Sequence, residues 1–300
     1  MIINSTTLSG LFSGFSTSFN KGFSGAESQY QQIAMVAPSQ SRDTTYAWLG
    51  QMPRLREWLG DRKIKSIAAS GYKITNRNFE STVEVPANDI KDDQYGVYGP
   101  MIEDLGRAAA EHPDEMIFDL LASGFTSTCY DGQNFFDTEH VGYNQAGEEI
   151  AVANFEDGAG AAWYLLDTSR AIRPLIYQER EAFRLVGMTD PDAPNVFLQD
   201  KYLYGVQGRA NAGFGLWQLA YASKEALTVE TYAAARAAMS VIRGDEGRLL
   251  GIRPDTLVVP TSLETAGRTV INAALKADGS SNIWAGTAKL IVSPWLTAGA

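Results

Sequence analysis

The stretch between residues 92 and 125 constrains the fold of this chain most, because its residue pattern predicts one long amphipathic helix. Apolar residues recur in it at close to a 3.6-residue period, and acidic residues gather on the opposite face. Pro100 suits the first turn of a helix, where its missing N–H costs nothing, and Gly124 favours the left-handed conformation that ends one. Pro113 removes one backbone hydrogen bond, so we expect a kink or a short break near His112.

The acidic face of this predicted helix suggests a charged partner. Its members are Glu103, Asp104, Glu111, Asp114, Glu115 and Asp119. An ordinary surface helix would show the same pattern, so the face alone does not identify a partner. We expect the apolar stripe to pack on a sheet of the same chain and the acids to face something else.

The charge of the chain is distributed unevenly. The formal net charge is −10, yet residues 1–90 carry nine Lys/Arg and seven Asp/Glu, which gives +2. The other 210 residues carry sixteen Lys/Arg and twenty-eight Asp/Glu, which gives −12. Between residues 54 and 77, seven basic residues stand against two acidic ones. This segment is either a nucleic-acid patch or a surface that attracts the acidic body of another copy, and both interpretations stay open at this point.

Residues 1–29 are rich in Ser and Gly and nearly uncharged, but they contain a helical apolar stripe. The stripe consists of Leu8, Leu11, Phe12, Phe15, Phe19 and Phe23. Glycines at positions 10, 14 and 22 weaken a helix that stands alone. We therefore expect this segment to become ordered only against a partner surface.

Residues 64–90 alternate in a way that predicts a long two-stranded hairpin, with its turn at residues 76–78. The hairpin contains few large apolar residues, and an isolated pair of strands is marginally stable in water. It too is expected to lie on a neighbour.

The remainder of the chain indicates an α+β fold. Strand-like runs between residues 163 and 221 are antiparallel in character, and a helix from Thr228 and strands at 257–259 and 290–292 follow them. The chain is 45% hydrophobic, has no run near 18 apolar residues and begins without a secretory signal. Its single cysteine, Cys129, fits a reducing compartment such as a cytoplasm.

No pattern of catalytic residues is evident. The chain lacks a nucleophile elbow, a CxxC pair and a Walker A loop. Asp131, Asp137 and His140 could together hold a cation, since they offer oxygen and nitrogen ligands within ten residues. Turn-forming aspartates and a hydrogen-bonded histidine explain these residues as well, so we expect no catalytic residue, bound metal or cofactor. A metal-dependent phage hydrolase with its site at these three residues is the alternative function.

Five blocks of the sequence occur in an order that resembles a known family. They are LFSGFSTSFNKGF at 11–23, YDGQNFFDTEH at 130–140, RPLIYQERE at 173–181, YGVQGRANAGFGLWQ at 204–218 and LGIRPDTLVVP at 250–260. Together they resemble the major head subunit of Mu-like tailed phages and prophages, the gpT family, over nearly the whole chain.

The resemblance implies the Hong Kong 97-type capsid fold. On this chain it places an N-terminal arm at 1–50, an extended E-loop hairpin at 51–92, a peripheral domain at 93–225 and an axial domain at 226–300. The long spine helix of the peripheral domain is expected at 97–123.

The resemblance also implies a function, that of a major capsid protein. Such a protein self-assembles into hexamers and pentamers of an icosahedral head that encloses double-stranded DNA. The implied partners are copies of the chain itself, scaffolding, portal and decoration proteins, and DNA bound without sequence specificity, with no membrane. Assembly is expected in the cytoplasm of the bacterial host, and the finished shell belongs to the virion.

Two sets of residues are expected at contacts between subunits. The first is the aromatic stripe of the arm, Phe12, Phe15, Phe19 and Phe23. The second brings basic residues at the root of the E-loop onto the spine helix of a neighbour. Its members are Arg54, Arg56, Arg62, Lys63 and Lys65, facing Glu103, Asp104, Glu111 and Glu115. Exposed ion pairs of this kind set register more than strength.

Overall fold

The computed structural model describes residues 4–49, 71–92, 94–190, 192–245, 247–276 and 279–296. The helices are α1 (Ser5–Gly25), α2 (Tyr30–Ile33), α3 (Ala87–Lys91), α4 (Gly99–Ala122), α5 (Pro194–Gln199), α6 (Val229–Ser240) and α7 (Glu264–Ile271). The strands are β1 (Ala34–Pro38), β2 (Asp43–Thr45), β3 (Lys73–Thr75), β4 (Arg77–Pro86), β5 (His140–Tyr143), β6 (Glu149–Val152), β7 (Phe155–Glu156), β8 (Trp163–Leu166), β9 (Leu175–Met188), β10 (Lys201–Phe214), β11 (Ala220–Ser223), β12 (Thr256–Pro260) and β13 (Lys289–Ser293). This mixture confirms the α+β class, and none of the described helices is long and apolar enough to cross a membrane.

A four-stranded sheet lies against the two longest helices, α1 and α4. Its strand order is β1-β9-β10-β4. β9 and β10 pair as an antiparallel hairpin, β1 runs parallel to β9, and β4 runs antiparallel to β10. On the helix side, Tyr204 and Val206 of β10 join buried residues of α1 and α4 in one apolar core.

A five-stranded sheet with the order β13-β12-β8-β11-β7 forms the second layer. Its central strand β8 is buried at every position, as expected for a strand with neighbours on both edges and cover on both faces. The sheet combines strands from residues 155–223 with strands from residues 256–293. The expected boundary at 225/226 therefore does not separate two units of the structure.

The α4 helix passes through Pro113 without interruption, so the expected break near His112 does not occur. A proline in a helix interior costs roughly 3 kcal/mol. Apolar residues on both sides of it are buried, namely Ile102, Leu105, Ile117, Phe118 and Leu121. Each contributes about 1.5–3 kcal/mol when buried, and their sum outweighs the proline penalty.

Two glycines allow α1 and α4 to cross with their backbones in direct contact. A Cβ atom added at Gly22 would lie 1.8 Å from the carbonyl oxygen of Glu103, and one at Gly106 would lie 2.1 Å from that of Phe19. No side chain fits at either distance, so the crossing requires glycine at both positions. Because α1 packs on α4 of its own chain, the expectation that this segment becomes ordered only against a partner is corrected.

Asp114 lies inside the protein rather than on the acidic face, which corrects its expected position. It is 3% exposed, and its carboxylate accepts hydrogen bonds from the N–H groups of Gln29 at 2.9 Å and Tyr30 at 2.6 Å. The hydroxyl of Ser28 donates a third bond at 3.0 Å. These N–H groups start α2 and have no helical acceptor of their own. Burial raises the pKa of Asp114 against the opposing effect of these hydrogen bonds.

The expected hairpin within residues 64–90, with its turn at residues 76–78, is not formed, because β3 and β4 do not pair with each other. β3 pairs with β2, whereas β4 forms ten residue pairs with β10, so the two strands belong to different sheets. β4 pairs with β10 rather than with β3, because β10 can pair with all ten residues of β4 whereas β3 has only three residues. Asn76, the residue between β3 and β4, is buried. Its side-chain amide donates to Ser39 Oγ at 2.9 Å and accepts from Gln178 Nε2 at 2.8 Å. Residues 51–70 of the expected E-loop lie outside the described residues.

The helix crossing predicts opposite effects of alanine at two pairs of glycines. Gly22→Ala or Gly106→Ala should lower the free energy of unfolding by about 1–3 kcal/mol, since the new methyl group pushes two backbones apart. Gly10→Ala and Gly14→Ala are matched controls, because a Cβ atom there meets nothing within 4 Å. These controls should leave stability unchanged or raise it by about 0.5–1 kcal/mol. Denaturant unfolding of the purified chain measures the difference, and equal stability of all four variants would contradict the contact.

The buried carboxylate of Asp114 gives a second prediction. Asp114→Ala should lower the free energy of unfolding by about 1–3 kcal/mol, because the N–H groups of Gln29 and Tyr30 lose their acceptor. Asp104→Ala, on the exposed side of the same helix, is the control and should change it by less than about 0.5 kcal/mol.

The stability difference between the wild type and Asp114→Ala should depend on pH in a definite direction. Folding raises the pKa of Asp114, so its contribution to stability is largest below the pKa of the unfolded chain and falls as the pH rises through the folded pKa. The stability gap between the wild type and Asp114→Ala should therefore widen as the pH is lowered from neutral. A difference in the free energy of unfolding that narrows as the pH is lowered would contradict this prediction.

Candidate assembly surface

Helix α1 buries two of its four phenylalanines in its own chain. Phe15 is 4% exposed and meets the ring of Tyr204 edge-on, with 4.8 Å between the ring centroids, and Phe19 is 3% exposed. Phe12 is half-buried and stacks on Tyr204 at 6.4 Å, whereas Phe23 is exposed and stacks on Phe19 at 5.9 Å. The intramolecular partners of Phe15 and Phe19 were not foreseen. Contact of this stripe with a neighbouring subunit stays a prediction, for which Phe12 and Phe23 keep free surface.

Two of the four acidic residues expected at subunit contacts have partners in the same chain. The carboxylate of Glu103 lies 2.9 Å from Lys21 Nζ, which extends from α1 across the helix crossing. The carboxylate of Glu111 lies 2.7 Å from Arg107 Nε, one turn earlier on α4. These two acids are therefore partly neutralised before any neighbour arrives.

The other two acidic residues, Asp104 and Glu115, are exposed on α4. Within the described part of the chain, neither forms an ion pair with a lysine or arginine, and Glu115 lies 3.5 Å from His112 Nδ1. Asp119 of α4 is likewise exposed and has no ion pair among the described residues, so these three acids hold the charge that α4 offers to an external partner. The basic residues expected to face the spine helix, Arg54, Arg56, Arg62, Lys63 and Lys65, lie outside the described residues.

The segment before β5 brings two of the three candidate ligands, Asp131 and His140, together. Asp131 Oδ2 lies 2.8 Å from His140 Nδ1, and Asp131 Oδ1 accepts a hydrogen bond from Cys129 Sγ at 3.1 Å. His140 is fully buried, and its ring stacks on Trp217 with 4.1 Å between the centroids. Burial works to raise the pKa of Asp131, but the hydrogen bonds from His140 and Cys129 outweigh it and hold this pKa below its ordinary value.

Asp137 does not lie in this cluster, so the candidate metal-ligand set Asp131, Asp137 and His140 is wrong in that member. Its Oδ1 accepts from the backbone N–H groups of Thr138 at 2.7 Å and Glu139 at 3.1 Å. An aspartate that bonds to its own backbone in this way forms a turn.

Cys129 takes the place of Asp137, and sequence reasoning missed it. The only signal available was its position two residues before Asp131, just ahead of the turn at Asp131 and Gly132. Burial, together with the nearby carboxylate, raises the pKa of the Cys129 thiol. A buried thiol with a raised pKa is a poor nucleophile, so the cluster does not resemble a catalytic cysteine site.

Nearly the whole chain is similar to known proteins. The family model of the Mu-like prophage major head subunit gpT matches residues 8–296. The chain is 47% identical over 275 residues to the Mu-like prophage FluMu major head subunit of Haemophilus influenzae, with 89% of each chain covered. It is 42% identical over 305 residues to the major capsid protein of Escherichia phage Mu, with 99% of this chain and 100% of that one covered.

A solved shell contains the same fold. The subunit of the procapsid of bacteriophage JBD30 is 46% identical, with 98% of this chain and 100% of that chain covered and a TM-score of 0.86. This likeness confirms the Hong Kong 97-type capsid fold. The relatives are structural proteins, so the chain is not an enzyme, and the hydrolase alternative is not supported. The chain belongs to the family of Mu-like prophage major head subunits and is a major capsid protein that forms the shell of the virion.

Proposed function

We propose that copies of this chain assemble into hexamers and pentamers that close an icosahedral head around double-stranded DNA. The likeness of the whole chain to a procapsid subunit is the observation that carries this proposal. The net charge of −10 fits a container for DNA, because a strongly basic lining would bind the phosphates tightly and hold the genome back. Scaffolding, portal and decoration proteins are the further proposed partners, and the bacterial cytoplasm is the proposed place of assembly.

We propose the following assignment of the regions of the capsid fold. The arm is α1 with the segment that leads to β1. The E-loop is the segment between β2 and β3, since these strands pair antiparallel and bring residues 45 and 73 together at its base. The peripheral domain is the four-stranded sheet with α4, and the axial domain is the five-stranded sheet with α6 and α7.

The E-loop of one subunit is proposed to lie along α4 of its neighbour. Asp104 and Glu115 carry charge that α4 does not neutralise within its own chain, while residues 54–77 carry seven basic and two acidic residues. Each exposed pair contributes only about 0–1 kcal/mol. The same contact recurs around every capsomer of a symmetric shell, so it sets the register between subunits.

Assembly of the purified full-length chain tests the proposed function directly. Size-exclusion chromatography and negative-stain microscopy should show rings of five or six subunits, or closed shells. Raising the salt concentration should weaken the assemblies more than it weakens the fold of the subunit, because screening acts on exposed charges. A folded monomer that forms neither rings nor shells would contradict the proposal.

A charge exchange tests the proposed E-loop contact separately. Reversing the basic pair with Arg62→Glu and Lys63→Glu should slow or misdirect assembly while leaving the unfolding temperature of the subunit unchanged. Reversing the acidic pair with Asp104→Lys and Glu115→Lys should have the same effect. The protein with all four changes should recover assembly, because opposite charges again face each other. Failure of the fourfold variant to improve on either double variant would refute the pairing.

A further inference from the structure

Cys129, Asp131 and His140 form a cluster at the surface, with Cys129 and His140 buried, that shell formation does not by itself explain. Their ligand atoms all lie within 4.8 Å of one another. Two ligands held at about 2.0–2.3 Å from one tetrahedral ion lie about 3.3–3.7 Å apart. The observed separations are 3.1 Å from the sulfur to Asp131 Oδ1 and 2.8 Å from Asp131 Oδ2 to His140 Nδ1. These are hydrogen-bond lengths to different oxygens of Asp131, so one ion bound by all three side chains requires the carboxylate to turn and the ligands to move apart by about half an ångström.

The ring of His140 is held as a ligating histidine needs to be. Its Nδ1 lies 2.8 Å from the carboxylate of Asp131, so without an ion the N–H of the neutral ring lies there and donates to that carboxylate. A metal ion that takes the place of this proton would be bound by Nδ1. The N–H would then move to Nε2, which faces the carbonyl oxygen of Phe135 at 3.3 Å. The ring of Trp217, stacked at an angle of 7°, fixes the plane of the imidazole.

Backbone groups hold the other two side chains in place. The N–H of Gln133 donates to Asp131 Oδ1 at 3.1 Å, and the N–H of Cys129 donates to the carbonyl of Gln133 at 2.8 Å. Gly132 makes the turn between them with a φ of 88°, a conformation that favours glycine. Such outer hydrogen bonds orient the ligands of protein-bound metal ions.

We propose that Cys129, Asp131 and His140 bind a zinc ion that fastens the turn around Gly132 to β5. One sulfur, one nitrogen and one oxygen ligand suit zinc, whereas Mg²⁺ and Ca²⁺ prefer oxygen ligands alone. The ion replaces the thiol proton of Cys129 and any proton between Asp131 and His140, and these protons pass to solvent. Water supplies the fourth ligand. The role is structural, because His140 is fully buried and the side chain of Asp131 is only 16% exposed.

The experiment exploits the fact that Cys129 is the only cysteine of the chain. The purified full-length protein is freed of metal with a chelator, dialysed, and titrated with Zn²⁺ alone or with Co²⁺ alone. We expect one metal ion per chain, a higher unfolding temperature with zinc, and a thiolate-to-cobalt charge-transfer absorption. A folded chain that binds no zinc, or that binds cobalt without the thiolate absorption, overturns the proposal.

Two variants locate the ion. Cys129→Ser should lose the thiolate absorption and the zinc-dependent rise in unfolding temperature. Asp137→Asn is the matched control and should keep both, because Asp137 lies in the same segment with its carboxylate bonded to its own turn. Equal zinc binding by the wild type and both variants would place the ion elsewhere and overturn the assignment. If Cys129→Ser does not fold, the cobalt spectrum of the wild type decides the question by itself.

Discussion

The direct contact between the backbones of α1 and α4 is the constraint on which the packing of both helices on the four-stranded sheet depends. Glycine at positions 22 and 106 lets the two helices approach so closely that Phe15 and Phe19 become buried with the sheet residue Tyr204. A side chain at either glycine would separate the helices and open the apolar core between them and the sheet. The arm helix is thus part of the folded subunit and does not wait for a partner to become ordered.

Buried polar side chains fix how the chain runs between its layers. Asp114 ties the end of α1 and the start of α2 to the middle of α4. Asn76 and Gln178 bond to each other where the chain passes from β3 to β4, and Gln178 also accepts from the hydroxyl of Tyr46 at 2.9 Å. A buried polar group without a partner is costly, so these bonds select one path of the chain over its alternatives. The base of the proposed E-loop is held by the same set of bonds.

Local periodicity was enough to predict some of this architecture. The amphipathic stretch at 92–125 contains α4, although the expected break near His112 is absent. The bounds 97–123, which the family resemblance implied, agree with α4 to within two residues at its start and one at its end. The apolar stripe of the arm contains the residues that are in fact buried there, such as Leu11 and Phe15. Both features depend on the spacing of apolar residues within one helix, which a sequence shows directly. The five ordered blocks that resemble the gpT family supplied the capsid fold.

Features that depend on distant parts of the chain could not be predicted. Gly22 weakens an isolated helix, and only the position of Glu103 on the other helix shows why it is required. An alternating pattern identifies β4 as a strand but does not reveal that β10 is its partner. Asp114 has the same local pattern as its exposed neighbours. The position of Cys129 two residues before Asp131 does not show that its thiol donates to the Asp131 carboxylate. In each case the deciding interaction joins residues whose meeting is set by the fold.

The proposed E-loop contact places the basic residues of segment 54–77 between subunits rather than on the DNA-facing surface of the shell. A cryo-EM reconstruction of shells assembled from this chain tests that proposal most directly. We expect residues 54–65 of one subunit to lie within ion-pair distance of Asp104 and Glu115 of the adjacent subunit. We also expect α1 to stay on α4 of its own chain. A reconstruction in which residues 54–65 face the interior, far from the acids of any neighbour, would contradict the contact and favour a DNA-binding role for the basic segment.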